Sequence, residues 1–271
     1  MTTSNGLTSG YDTGCSGVRR RYGRYLLATL MVVLLGMGLA TEEAAAGENT
    51  RVVAATAWVG AMAEAAGVEE VRVLAPAELR HPPEYDFAPR DVGFAAEADL
   101  LIWAGYEGFM ENLFEAANIS EDRILRIRTS NVPPLMAEAV ETIAAELGTE
   151  DQFLQWKRKL DQLAEELLSA ADAAGVADTP VAAHFHQRGF AEWLGFEVVA
   201  EFGPAEMTPG ELASILAAEP ELIIDNWHIP HGQPLRGDGR RYTMLINFPG
   251  SHGTSSLFDV LRYNAEQLEL F

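Results

Sequence analysis

The chain has a single cysteine in 271 residues, and Cys15 lies ahead of the apolar run that begins at Tyr25. Everything after that run is therefore without disulfide, thiolate ligand or cysteine nucleophile. A lipid-modified cysteine directly behind the run is excluded as well. Basic residues are scarce: 19 Lys and Arg stand against 40 Asp and Glu, a formal net charge of −21. That balance disfavours nucleic acid and anionic membranes as partners. Motifs of catalysis are missing too, with no His-Glu-x-x-His, no Gly-x-Ser-x-Gly, no phosphate-binding P-loop and no Gly-x-Gly-x-x-Gly turn. Gly250-Ser251-His252-Gly253 stands without the context of a triad. No enzyme is expected.

Histidine is also rare, and its placement is informative. There are six, none falls in the first 80 residues, and five lie in three short clusters: His81, His184 with His186, and His228 with His231. Neutral imidazole binds borderline divalent metals, and a fold builds a metal site by gathering a few histidines from distant segments. His231 and His252 read as surface residues.

Arg19, Arg20, Arg21 and Arg24 precede an uncharged apolar stretch, residues 25–40, followed by Thr41-Glu42-Glu43-Ala44-Ala45-Ala46-Gly47. A basic segment, a short apolar segment and an Ala-x-Ala site make an export signal over residues 1–47, with cleavage expected after Ala46. The alternative is an uncleaved N-terminal anchor, for which the run is slightly short. Both place the remainder outside the cytoplasm, in a periplasm or its equivalent. Beyond Gly47 the chain has 15 basic and 37 acidic residues, so the exported part is as acidic as the whole.

That remainder alternates short apolar runs with amphipathic stretches. Residues 51–55, 71–75, 100–104 and 124–127 read as strands, with helices at 59–66, 89–96 and 109–117. A second set has strands at 180–183, 197–202, 222–225 and 243–246 and helices at 188–194, 209–218 and 255–268. Between them, Phe153, Trp156, Leu160, Leu163, Leu167 and Ala171 recur every three to four residues, which marks one long helix over 150–174. The fold class is α/β: an N-terminal lobe (48–145), a linking backbone helix (146–176) and a C-terminal lobe (177–271), each lobe with a mostly parallel sheet.

In open parallel sheets ligands bind beyond the carboxyl ends of the strands. His184 follows the strand Val181-Ala182-Ala183, Asp225 to His228 follow Leu222-Ile223-Ile224, and His81 lies past the strand ending near Ala75. If the lobes face one another, imidazoles from both meet. The candidate metal ligands are His81, His184 or His186, His228 and Asp225. A His-x-His pair points opposite ways on a strand, so both can ligate only at a strand-to-helix turn. For Asp225-Asn226 a helix cap or turn is the competing role. Glu84 is a candidate to hold a histidine in place, Glu107 is either a similar support or exposed, and Tyr85, Trp58, Tyr106 and Trp227 are aromatics of cleft wall or core.

The same segments carry a resemblance. Val52-Val53-Ala54-Ala55-Thr56-Ala57-Trp58, His81-Pro82-Pro83-Glu84-Tyr85-Asp86, Pro89-Arg90-Asp91, Ala96-Glu97-Ala98-Asp99-Leu100 and His184 to Gly195 resemble the zinc- and manganese-type solute-binding proteins of metal ABC transporters, the ZnuA/TroA-like group. The resemblance implies two lobes bridged by a backbone helix, Zn²⁺ or, next, Mn²⁺ as the carried ion, a membrane ABC permease as partner, and a monomer. Departures are clear. Pro83 stands where that motif has its histidine directly before Glu-Tyr. Asn131-Val132-Pro133-Pro134-Leu135 lacks the family's second histidine, and Asn247 falls near its late aspartate. Alternatives are a binding protein for a metal chelate of cobalamin or siderophore type, and an exported metal-dependent hydrolase.

Overall fold

The computed structural model describes residues 50–271 apart from 82, 83 and 238. The export signal read at 1–47 lies outside the described residues. Among these residues no helix is long and apolar enough to cross a membrane.

Two four-stranded sheets, all of their pairings parallel, form the frame. The first contains β1 (Val52–Thr56), β2 (Val71–Ala75), β3 (Leu100–Trp103) and β4 (Ile124–Arg126) in the order β2-β1-β3-β4. The second contains β5 (Pro180–His184), β6 (Glu197–Phe202), β7 (Leu222–Asn226) and β8 (Arg241–Leu245) in the order β6-β5-β7-β8. Parallel strands need crossovers, supplied by α1 (Ala57–Ala65), α2 (Pro89–Glu97) and α3 (Gly108–Ala116) in the first lobe. In the second they are α6 (Phe185–Leu194) and α7 (Pro209–Ala217), with α8 (Leu257–Gln267) closing the chain. Each sheet changes winding direction beside its first strand, and there the loops after β1 and β3, or after β5 and β7, part to leave a crevice.

Local chemistry sets the helix ends. Thr56 accepts the N–H of Val59 at the start of α1, and Asp91 accepts that of Ala88 at 2.7 Å at the start of α2. Ser256 and Asp259 cap α8 reciprocally. One helix falls where no helix was read. Helix α4 (Pro133–Leu147) begins on Pro133-Pro134, where proline costs nothing because the first turn has no N–H partner. It stops at Gly148, whose left-handed φ of 68° a side chain would strain.

Helix α5 (Glu150–Ala174) buries Phe153, Leu160, Leu163, Leu167 and Ala171. Those residues belong to one hydrophobic core that runs from Val52 and Ile102 of the first sheet to Val181 and Ile224 of the second. At about 1.5–3 kcal/mol for each large apolar side chain removed from water, this shared core binds the lobes far more strongly than one connecting helix would. Each sheet has its own outer core, around Leu101 and Met110 in the first lobe and Ile223 and Leu235 in the second.

Candidate metal centre

Strand β5 delivers His184 to the rim, where it becomes the cap of α6: its Nδ1 accepts the backbone N–H of His186 at 3.1 Å. A neutral imidazole with Nδ1 as acceptor carries its proton on Nε2 and has no lone pair left for a metal. The Nε2 atom is buried without a partner, against Gly203, where a Cβ would stand only 2.5 Å away. Burial first, then the neighbouring His186 and His231, hold its pKa down at about 3. The ligand expected at this turn is thus divided: His184 caps the helix, and His186, in the first turn, lines the cleft.

Asp225 is engaged by its own loop. Its Oδ1 accepts the N–H groups of Asn226 (2.8 Å) and His231 (3.2 Å), and its Oδ2 accepts Gly232 N–H (2.8 Å) and the Tyr242 hydroxyl (2.5 Å). With four donors on two oxygens, Asp225 is the clasp of the loop after β7, the turn role that competed with ligation. Asn226 finishes the clasp, its Oδ1 accepting from His228 N–H at 2.8 Å and Ile229 N–H at 3.3 Å.

That loop presents His228, whose ring lies 3.9 Å from the Phe248 ring at 26°, with neither ring nitrogen bonded. Burial, then the charges of Arg80, His252 and His186, bring its pKa to about 3. The imidazole is therefore neutral, as a ligand must be. His186 is depressed likewise, by burial and by His81. His81 comes from the first lobe, with Nδ1 2.8 Å from Glu84 Oε1. Donation from Nδ1 to that carboxylate leaves the lone pair on Nε2, the orientation common to metal-binding histidines.

His81, His186 and His228 all line one cleft between the rims, a cavity of about 960 Å³. His81 acts on the His186 imidazole and His186 on that of His228, so His186 lies within electrostatic reach of both. They are not drawn together into a finished polyhedron. Among the described residues no three His, Cys, Asp or Glu side chains already stand as a metal-ligand group.

Other expected residues divide between cleft and core. Trp58 and Tyr106 line the cavity. Tyr85 donates to Asp91 at 2.9 Å and packs edge-on against Phe109, so it belongs to the core of the first lobe. Glu107 is fully buried and accepts N–H groups from Ala104, Gly105 and Tyr106, which makes it a loop support. Desolvation nevertheless pushes its pKa up. His231 is half-buried rather than a free surface residue, its ring 5.9 Å from that of His184 and its Nδ1 enclosed without a partner. His252 is exposed and stacks on Tyr263.

Several cleft residues were not singled out as site residues from the sequence. Asn131 donates to the Ile246 carbonyl at 3.0 Å, joining the lobes at the cleft floor. Asn247 Oδ1 accepts from Gln187 (2.7 Å) and Asn226 (3.0 Å). Arg80, Arg126, Arg128 and Arg188 also line the cavity. Their signal was available: Arg80 adjoins His81, while Arg126 and Arg128 sit at the carboxyl end of β4.

No protein-family model and no curated protein matches the chain. Solved structures do. The laminin binding protein Lmb of Streptococcus agalactiae, described as bifunctional with adhesin and metal transporting activity, superposes with a TM-score of 0.64 at 18% identity, over 81% of this chain and 98% of its own. The SBP FpvC of P. aeruginosa in complex with Ni²⁺ gives 0.68 at 17%, over 82% and 96%. The Mn-bound periplasmic metal binding protein of Candidatus Liberibacter asiaticus gives 0.61 at 14%, over 82% and 100%. The chain thus has the two-lobed α/β fold of these metal-binding proteins, the fold that the resemblance in its sequence implied.

Proposed function

We propose that this protein is an extracytoplasmic solute-binding protein that captures a divalent transition metal between its lobes and hands it to a membrane ABC permease. The observation that carries this reading is the convergence of His81, from the first lobe, with His186 and His228, from the second, on one cavity. Three imidazole nitrogens suit Zn²⁺ first and Mn²⁺ second, since imidazole favours the softer ion. His184 and Asp225 support the ligands by capping and clasping. Capture falls to movement of the side chains and rim loops, because the shared core opposes a wide opening of the lobes. Release then falls to the rim loops, pulled apart when the permease docks. The acting unit is a monomer.

An exported hydrolase would need a carboxylate free to serve as general base. The cleft carboxylates Glu192 and Glu201 are held by Arg188 at 2.7 Å and 3.1 Å, and Glu84 is held by His81. This favours binding over turnover. Zinc titration of the demetallated full chain by competition with a chromophoric chelator tests the reading. One zinc per chain is expected, reduced about 10-fold or more in affinity by His228→Ala. Zinc binding that is absent, or indifferent to that substitution, contradicts it.

A further inference from the structure

The cavity that holds the histidines is much larger and more basic than a bare cation needs. Its volume of about 960 Å³ belongs to the range of small-molecule pockets, about 300–1,000 Å³, and not to a single ion. Arg80, Arg126 and Arg128 line it in a chain whose formal net charge is −21. Among the described residues no carboxylate forms an ion pair with any of the three.

Two of these arginines are held in position. Arg80 reaches from the first lobe to donate to the Trp227 carbonyl, its guanidinium lying 4.3 Å from the centre of the Trp227 ring. Trp227 directly precedes His228, so this guanidinium stands beside that histidine, where its charge opposes a bare dication. Arg126 lies across Gly105, where a Cβ would collide with Nε, and its guanidinium lies 5.8 Å from the centre of the Trp103 ring. The left-handed φ of 91° at Gly105 and its lack of a side chain are what admit the guanidinium. Thr129 and Ser130 add hydroxyl groups beside Arg128. Three imidazole ligands bring no negative charge to the metal, the cleft carboxylates Glu192 and Glu201 are taken up by Arg188, and the other arginines add positive charge. Electroneutrality in this cleft calls for an anion that arrives with the metal. Guanidinium is matched in shape and charge to carboxylate.

We propose, resting on the capture reading above, that the cleft takes its metal as a complex with a small polycarboxylate anion. His81, His186 and His228 bind the metal, and Arg80, Arg126 and Arg128 bind the carboxylates. The anion supplies the oxygen ligands and the negative charge that three imidazoles lack.

Equilibrium dialysis of the full chain against radiolabelled zinc, radiolabelled citrate and the two together tests this. The expected result is joint retention of zinc and citrate in equal amounts, with zinc held about 10-fold or more tightly in the presence of citrate than alone. The double variant Arg126→Gln/Arg128→Gln should lose the citrate and the gain, and with two positive charges removed it should bind zinc alone at least as tightly as the parent does. His228→Ala should lose both. If the parent retains no citrate from the mixture and holds zinc no more tightly with citrate present than without it, the polycarboxylate assignment is overturned and metal capture is left standing. Citrate retained without zinc and unaffected by His228→Ala also overturns it, reducing the arginines to an anion site. Absence of zinc retention in every condition overturns the capture reading and this inference with it.

Discussion

His184 accepts the backbone N–H of His186 through Nδ1 at 3.1 Å, and this one bond gives two histidines on the same turn different work. His184 stabilises the start of α6; His186 is left to face the cleft. His186→Ala should weaken zinc binding by about 10-fold or more with little change in melting temperature. His184→Ala should cost about 1–3 kcal/mol of stability, from the lost cap and the vacated buried ring, while the variant that remains folded binds zinc nearly as the parent does. Paired calorimetric melting and zinc titration separate the two. Equal loss of affinity in both variants would show that His184 ligates after all.

Buried neutral histidines also make the metal-free protein sensitive to acid. His184 and His228 have their pKa values lowered from 6.5 to about 3 in the fold. The unfolded chain therefore takes up protons first, and the stability they contribute is complete above pH 6.5 and is lost as pH falls toward 3. A tenfold difference in proton affinity between the folded and unfolded chain is worth about 1.4 kcal/mol, so several degrees of melting temperature should disappear between about pH 7 and 4.5 in the metal-free chain. His184→Gln combined with His228→Gln should flatten that dependence. An unchanged slope in the double variant would place the acid sensitivity elsewhere.

The Asp225 clasp gives a third test. Tyr242→Phe removes one donor and should cost about 1 kcal/mol, whereas Asp225→Ala leaves the buried N–H groups of His231 and Gly232 without acceptors and should cost about 2–4 kcal/mol. Chemical denaturation reads both. Because Asp225 orders the loop that presents His228, its loss should also weaken zinc binding, but Tyr242→Phe should not. A large affinity loss in an Asp225→Asn variant of parental stability would restore Asp225 as a ligand.

The strands were legible because each is a short apolar run, and the observed ends differ from the expected ones by at most two residues, as at β8 (Arg241–Leu245). Helix α4 was not legible: Pro133-Pro134 reads as a break unless it is recognised as a first turn. The rim position of His81, the His184 to His186 turn and His228 followed from the rule that ligands bind beyond strand ends. Which imidazole nitrogen is free depends on hydrogen bonds across two residues, and the use of Asp225 depends on Tyr242, seventeen positions away. Tertiary contacts of that kind leave no mark in a motif. The arginines escaped notice because an acidic chain draws attention to its carboxylates.

The central claim is that one metal bridges ligands from both lobes, and the most direct measurement is the zinc-dependent rise in melting temperature of His81→Ala against the parent. At a thousandfold excess over its dissociation constant, zinc should stabilise the parent by about 4 kcal/mol and raise its melting temperature by about 8 °C or more. His81→Ala, which keeps His186 and His228, should lose most of that increment while melting near the parent when metal-free. An undiminished increment in the variant would confine the site to the second lobe and contradict capture between the lobes.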